Sequence, residues 1–476
     1  MANHFPTVAE FDEVLELVRS ESSKYLNNLD ERLVREPNAA GVAAALREAL
    51  PEVGTGASRA LSELIDRGMN ATVTSAGPRF FHYVIGGQTP AALGADWLAS
   101  ALDQCAGTWV SSPLGIQLEL IVIEWLCDLF VLPEGMGGVL TSGATMANFC
   151  GLAAGRQWCG EQLGHDVAQE GLVNCPPIAI FSSGYVHAAA VKPIAMLGLG
   201  RDSVRRFTKD DAGRLDLEGM ERALGELNGA PAILIGNAGD VNTGDFDPID
   251  QMADLAERYN AWLHVDGAFG LFARTTPEAI ELAAGCERAN SLTVDAHKWL
   301  NVPYDCGISF VRDTSMLAKT FTLFADYLPA PDDPHPMLSN LCAESSRRAR
   351  AFAIWGTLKA YGREGIREMI ERHLELTRRL AAGVEAAPEL ELLAPAQLNI
   401  VCFRLTAPDR SPEELDRLNA DLGEAILEDG RVFAGTTRYR GMTALRPAIV
   451  NWRTREEDID LLLTVVRELG ATLVAG

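Results

Sequence analysis

The chain is short of basic side chains. It sets 41 Lys and Arg against 65 Asp and Glu, a net charge of −24 over 476 residues. A surface of that sign repels phosphate backbones and anionic membranes, so neither nucleic acid nor a membrane is an expected partner. It also lacks paired cysteines. Its nine cysteines form no C-x-x-C pair and are odd in number, which speaks against a disulfide framework or a zinc ribbon and fits a reducing, cytoplasmic compartment. No metal site is expected. Long apolar runs are missing too: the longest, "LIVIEWLCDLFVL", carries Glu124 and Asp128 and is too short to span a bilayer. The opening "MANHFPTVAEFDEVLELV" has acids and no basic stretch, so no signal peptide is expected. There are no internal repeats and no low-complexity segments.

What is there is a globular composition, 47% hydrophobic and 22% charged. At ~150 residues per domain, about three domains, or one large domain with smaller additions, are expected. Residues 8 to 70 read as helices from the spacing of apolar positions in "VAEFDEVLELVRSESSKYL" and "SRALSELIDRGM". Residues 88 to 132 read as further helix, broken at Pro113. Then compact β-rich runs begin: "GGVLT", "PIAIFSS", "PAILIGNAG", "AWLHVDGAF" and "SLTVDAHKW". Helical stretches separate several of them, the pattern of a mainly parallel sheet with helices on both faces. Near residue 360 a long helix starts, followed by the strand "LNIVCFRL" and two more helices. One has Ser411 as N-cap, Pro412 at its first position and Gly430 past its end; the other opens on an expected capping box, Thr454 to Glu457. The expected division is an N-terminal helical segment at 1–85, a large α/β domain at 86–360 and a small α+β domain at 361–476.

In open α/β sheets, ligands bind beyond the carboxyl ends of the strands, so the residues closing each apolar run carry the functional reading. "VLTSGATMAN" puts Ser142, Gly143, Ala144 and Thr145 between a strand and a helix. Free N–H groups at a helix start attract a phosphate; the plainer reading is a turn capped by Thr145. His187 in "SSGYVHAAAVKP" follows a strand, where its ring could stack on a flat cofactor or simply fill a loop. Asp266 in "AWLHVDGAFG" closes a buried strand, and a carboxylate there needs a partner: a protonated ring nitrogen or a structural salt bridge. Lys298 in "DAHKWLNVPYDCG" is a surface charge or a nucleophile for carbonyls. Each signal is weak alone. In this order they supply what pyridoxal 5'-phosphate needs: a hold on its phosphate, a proton kept at its ring nitrogen, and a lysine amine to which it links.

"HVDGAFG" followed by "DAHKWLNVPYDCG" resembles the signature of the pyridoxal-phosphate-dependent amino-acid decarboxylases, the family of the aromatic-amino-acid, glutamate, histidine and diaminobutyrate enzymes. The resemblance runs along nearly the whole chain, through "GPRFFHYVIGG", "SSPLGIQLELIVIEWL", "GGVLTSGATMAN", "VNTGDFDPID", "SSRRARAFAIWGTLKAYG" and "ALRPAIVNWRTREEDID". It implies a fold-type I, PLP-dependent transferase-like fold and a homodimer with active sites at the subunit interface, the N-terminal segment helping to form the dimer. It implies loss of CO2 from an L-amino acid to give an amine. Lys298 would hold the cofactor, His187 would stack on its ring, Asp266 would pair with the ring nitrogen above Ala268, and Ala144 and Thr145 would lie on the phosphate. His297 would touch the phosphate or the substrate carboxylate. Tyr327, in the Pro- and Asp-rich "FADYLPAPDDPHPM", would return a proton to the substrate carbon, a task His187 could share. Tyr83 and Tyr304 would line the substrate pocket, and with Phe80, Phe81 and Trp109 they lean the expectation toward an aromatic substrate; the equal alternative is that most of these rings are core. Other chemistry on the same cofactor, such as aldehyde synthesis, lyase action or transamination, is the alternative.

Some positions depart from the family pattern. Asp240 stands where the family often has a threonine, and an acid there would repel a substrate carboxylate unless it turns away. Val84 and Gly86 are smaller than expected and Gly107 stands where a phenylalanine is expected, which suggests a pocket that is wider or filled differently.

Overall fold

The computed structural model describes residues 6–326 and 334–475. Seven strands form the main sheet: β1 (Gly137–Thr141), β2 (Ala179–Ser182), β3 (Val204–Arg206), β4 (Ala232–Asn237), β5 (Ala261–Asp266), β6 (Ser291–Asp295) and β7 (Gly307–Val311). Their order is β1-β7-β6-β5-β4-β2-β3, and only β7 runs against its neighbours. Every residue of β4, β5, β6 and β7 is buried, as a sheet covered on both faces requires. Helix Ala144–Gln162 covers one face across β5, β6 and β7, and helix Ile249–Arg258 packs on β4 and β5. This is the fold-type I arrangement expected from the sequence. The reading did not anticipate β3 or the antiparallel β7, whose short runs "SVRR" and "GISFV" carry no helix or turn signature of their own.

The second sheet is antiparallel, in the order β10 (Thr436–Tyr439), β11 (Met442–Leu445), β9 (Phe403–Leu405), β8 (Leu390–Leu392). Helix Pro412–Asp429 packs on it, with the full Ser411–Glu414 capping box and Gly430 in the left-handed conformation. Helix Glu456–Ala475 begins differently from the expected box. The Thr454 hydroxyl donates to the Pro78 carbonyl, while Asp458 Oδ2 accepts from the Arg455 N–H. Pro113 likewise does not break a helix; it opens one, Pro113–Leu129, at the position where its missing N–H costs nothing. The long helix Ala351–Ala386 kinks at Gly362 (φ 62°). Its first part packs on helices Pro90–Leu102 and Pro113–Leu129, its last part on β8 and the final helix.

Three larger hydrophobic cores result: one on the main sheet, a second on the antiparallel sheet and a third on the opposite face of the main sheet. Phe81 is buried in the second, because residues 80–81 pair with 433 and 448. This pairing carries the segment "FFHYV" from the N-terminal region to the edge of the main sheet. The N-terminal helices Glu10–Asn27 and Ala57–Gly68 pack on each other and bury no residue fully, leaving Phe11, Leu15 and Leu64 exposed. No helix among the described residues is long and apolar enough to cross a membrane. All nine cysteines are free.

Candidate active site

β4 and β5 pair in register, so their last residues, Asn237 and Asp266, stand side by side. β6 ends next to them on Asp295. Beyond these ends lies a cavity of about 240 Å³, whose lining includes Ala144, His187, Asp266, Ala268 and Lys298. Five of the residues singled out in the sequence for the cofactor are therefore brought to one place.

Asp266 is buried, and both its oxygens are held: Oδ2 accepts from Asn148 Nδ2 at 2.9 Å and Oδ1 from the Ala268 N–H at 3.2 Å. Among the described residues no side-chain cation pairs with it. His187 caps helix Ala188–Met196, its Nδ1 accepting from the Ala189 N–H at 3.1 Å, so the neutral ring carries its proton on Nε2. Burial lowers the pKa of His187, and the Asp266 charge opposes that shift. Lys298 Nζ lies 3.3 Å from Asp295 Oδ2 and 5.7 Å from the centre of the Phe269 ring.

Gly143 takes φ 152°, a backbone that L side chains rarely adopt, and starts helix Ala144–Gln162 without a side-chain cap. The first N–H groups of that 19-residue helix are left for an anion. A Cβ on Gly143 would sit 3.2 Å from His297 Cε1, so His297 stands against the turn. His297 accepts from the Cys306 N–H and stacks on Tyr304 with ring centres 4.2 Å apart. Neither His297, Tyr304 nor Thr145 lines the cavity itself, and Tyr304 is 59% exposed. Tyr327 lies outside the described residues.

The far wall comes from distant sequence. Tyr83 and Val84 line it from consecutive positions of positive φ, 56° and 59°, a costly conformation for a β-branched residue. Gly86 follows. A Cβ there would fall 1.8 Å from the Lys298 carbonyl oxygen, so its small size serves close backbone contact and does not widen the pocket. Gly107 is filled in the same way, by the Ser345 carbonyl. Arg446 completes this wall, buried, with no hydrogen-bond partner for its Nη1 among the described residues. Burial works against its charge, and Asp240 and Cys402 offset part of that. Asp240 itself turns away from the cavity: its Oδ2 accepts from the N–H groups of Asn242 and Thr243 and from the Thr243 hydroxyl. Tyr185 also lines the cavity, its hydroxyl donating to Asp245, which Arg214 clamps at 3.1 Å.

These residues fit pyridoxal 5'-phosphate. A buried carboxylate without a cation faces the cavity, an amine stands in the same lining, small residues leave room for a ring, and a glycine turn opens a helix beside them. Sequence reasoning missed Asn148, Asp295, Tyr185 and Arg446. Arg446 had a signal, since an arginine inside the apolar "TALRPAIV" is bound to be buried with its charge. Tyr185 and Asn148 had none beyond their places beside His187 and in the helix after the turn.

Comparison with known proteins agrees with this geometry. The pyridoxal-dependent decarboxylase conserved domain matches residues 46–406. The aromatic-L-amino-acid decarboxylase of Bacillus atrophaeus is 28% identical over 431 residues, covering 89% of this chain and 88% of that protein. The L-2,4-diaminobutyrate decarboxylase of Rhizobium meliloti (strain 1021) is 30% identical over 433 residues, covering 89% and 84%. The crystal structure of Oryza sativa TDC with PLP and tryptamine superposes with a TM-score of 0.90 over 98% of this chain and 99% of that one, at 22% identity.

Proposed function

Because the chain belongs to the pyridoxal-dependent decarboxylase family, and so is a carboxy-lyase that works on amino acids with pyridoxal 5'-phosphate, we propose that its substrate is an aromatic L-amino acid, converted to the amine and CO2. The observation that carries the substrate reading is the free part of the lining. Tyr83, Val84, Tyr185, Val241 and Phe269 surround the space in front of Lys298 with rings and branched side chains, which suits a flat apolar side chain.

Bound pyridoxal phosphate supplies the electron sink for the bond to CO2. Lys298 would hold it covalently, Asp266 at its ring nitrogen, Ala268 and His187 against its ring, and Ala144 with Thr145 at its phosphate. His297, packed against the turn, supports that last contact from behind. Asp266 acts as an anion placed in advance, its two oxygens fixed by Asn148 and Ala268, so no reorganisation is needed as charge develops. Arg446 would receive the substrate carboxylate on its Nη1. His187, with its proton on Nε2, would return that proton to the α-carbon after CO2 leaves, alone or with Tyr327.

The proposal includes a cytoplasmic homodimer. Free cysteines fit the compartment, and the apolar residues left exposed on the N-terminal helices fit a subunit contact. The test of the substrate reading is CO2 release across the twenty amino acids plus dopa, 5-hydroxytryptophan and 2,4-diaminobutyrate. Turnover confined to aromatic substrates supports it. Preference for diaminobutyrate or an acidic amino acid overturns the substrate class, and aldehyde with ammonia and peroxide overturns the amine product.

A further inference from the structure

Side chains alternate faces along a strand, so Trp262, His264 and Asp266 of β5 share one face, the face that helix Ala144–Gln162 covers. They are joined by an unbroken set of hydrogen bonds. Trp262 Nε1 lies 2.9 Å from Ser291 Oγ, and Ser291 Oγ lies 2.8 Å from His264 Nδ1. His264 Nε2 lies 2.8 Å from Asn148 Oδ1, and Asn148 Nδ2 lies 2.9 Å from Asp266 Oδ2. Ser291 is opposite His264 in the β5–β6 register, which is why the two meet.

Chemistry fixes every proton in this set. An indole N–H only donates and a carboxylate only accepts. The Asn148 amide must turn its NH2 to Asp266, which leaves its oxygen for His264. His264 must then carry its proton on Nε2, and Nδ1 must accept from Ser291. The opposite tautomer would put a bare ring nitrogen against the Asn148 oxygen. All five side chains are buried, so water does not repair a reversed link. The helix makes room for this set in particular: a Cβ on Gly151 would fall 2.8 Å from His264 Nδ1, and one on Gly155 2.8 Å from Trp262 Cδ1. Burial also pushes the His264 pKa down to about 4, against the pull of Asp266, so the ring is neutral at pH 7.

We infer that His264 is a positioning residue for the reaction: as the neutral Nε2–H tautomer, it locks the Asn148 amide that presents Asp266 to the cavity. The relay is a property of the chain alone. Its consequence for the cofactor rests on the function proposed above.

Two readouts test it. In protein labelled with 15N-histidine, the His264 ring, assigned by its loss in His264→Gln, should show Nε2 protonated and Nδ1 bare from pH 5 to 8. A proton on Nδ1 overturns the relay, whether or not cofactor binds. In the holoenzyme, His264→Leu removes the donor while His264→Gln offers an amide N–H in its place. We expect Leu to weaken cofactor retention and lower the pH midpoint of the visible band, with retention down on the order of tenfold and Gln near wild type. Equal losses in both variants, or none in either, overturn the positioning role. A wild-type protein that takes up no pyridoxal phosphate sinks the functional proposal instead, and the ring nitrogens still decide the relay.

Discussion

The floor and the wall of the cavity are built in different ways. The floor, Asp266, Asn237 and Lys298, comes from the ends of neighbouring strands and the short turn after β6, within about 60 residues of chain and in fixed register. The wall, Tyr83, Val84 and Arg446, comes from two segments more than 350 residues apart, joined through contacts of residues 76–82 with 433, 448, 451 and 454. Strand ends of a buried parallel sheet are rigid, so they suit the fixed chemistry of one cofactor. A wall assembled from long-range contacts can change without disturbing that chemistry, so it suits substrate choice.

The variants below separate the two. Lys298→Ala removes the amine from the floor and should abolish covalent cofactor binding and turnover, read by loss of the visible band and of CO2 release. Asp266→Asn keeps the shape but removes the charge; kcat should fall about 10²- to 10³-fold with KM little changed. Arg446→Ala strikes the wall. Losing one charge-assisted hydrogen bond of about 1.5–3 kcal/mol should lower kcat/KM roughly 10- to 100-fold, mainly through KM, with the cofactor spectrum intact. If Arg446→Ala bleaches the protein, the division of labour is wrong. Tyr185→Phe should have the smallest effect: loss of the bond to Asp245 costs about 1 kcal/mol of stability and shifts substrate preference more than turnover. Stability against pH sharpens the picture further. His82, His264 and His373 are buried, with pKa values pushed down to about 4, about 4 and about 3. Their contribution is fully present above the ordinary histidine value of about 6.5 and is lost as pH falls toward 4, because only the unfolded chain takes up protons there. Asp247, raised to about 6 by burial, acts in the opposite sense with one proton against three. Denaturant midpoints should therefore fall between pH 6.5 and 4.

The same contrast explains what the sequence disclosed. In the floor, Asp266 and Lys298 were legible because one closes an apolar run and the other opens the turn beyond it, and strand ends are where an α/β sheet puts ligands; Asn237, which closes β4, was not singled out. The wall was partly legible. Tyr83 was named, but Gly86 was left between a wider and a differently filled pocket, because a contact with the Lys298 carbonyl from across the fold leaves no local trace. Arg446 was quoted within a longer segment without a role, since only the folded chain shows that its Nη1 has no partner among the described residues. Asp240 looked like a misplaced acid until its turn supplied three donors. The alternation Trp262, His264, Asp266 was visible as a strand pattern, yet its meaning depends on Asn148 and Ser291 arriving from other elements. Thr145, His297 and Tyr304 are not part of the cavity lining, a distinction that spacing along the sequence does not resolve.

The most direct test of the account is to reduce the holoenzyme with borohydride, digest it and locate the phosphopyridoxyl label by mass spectrometry. The account predicts a single labelled peptide carrying the label on Lys298, absent from Lys298→Ala. Label on another lysine, such as Lys192 or Lys319, or none in a protein that still releases CO2 from an amino acid, would contradict it.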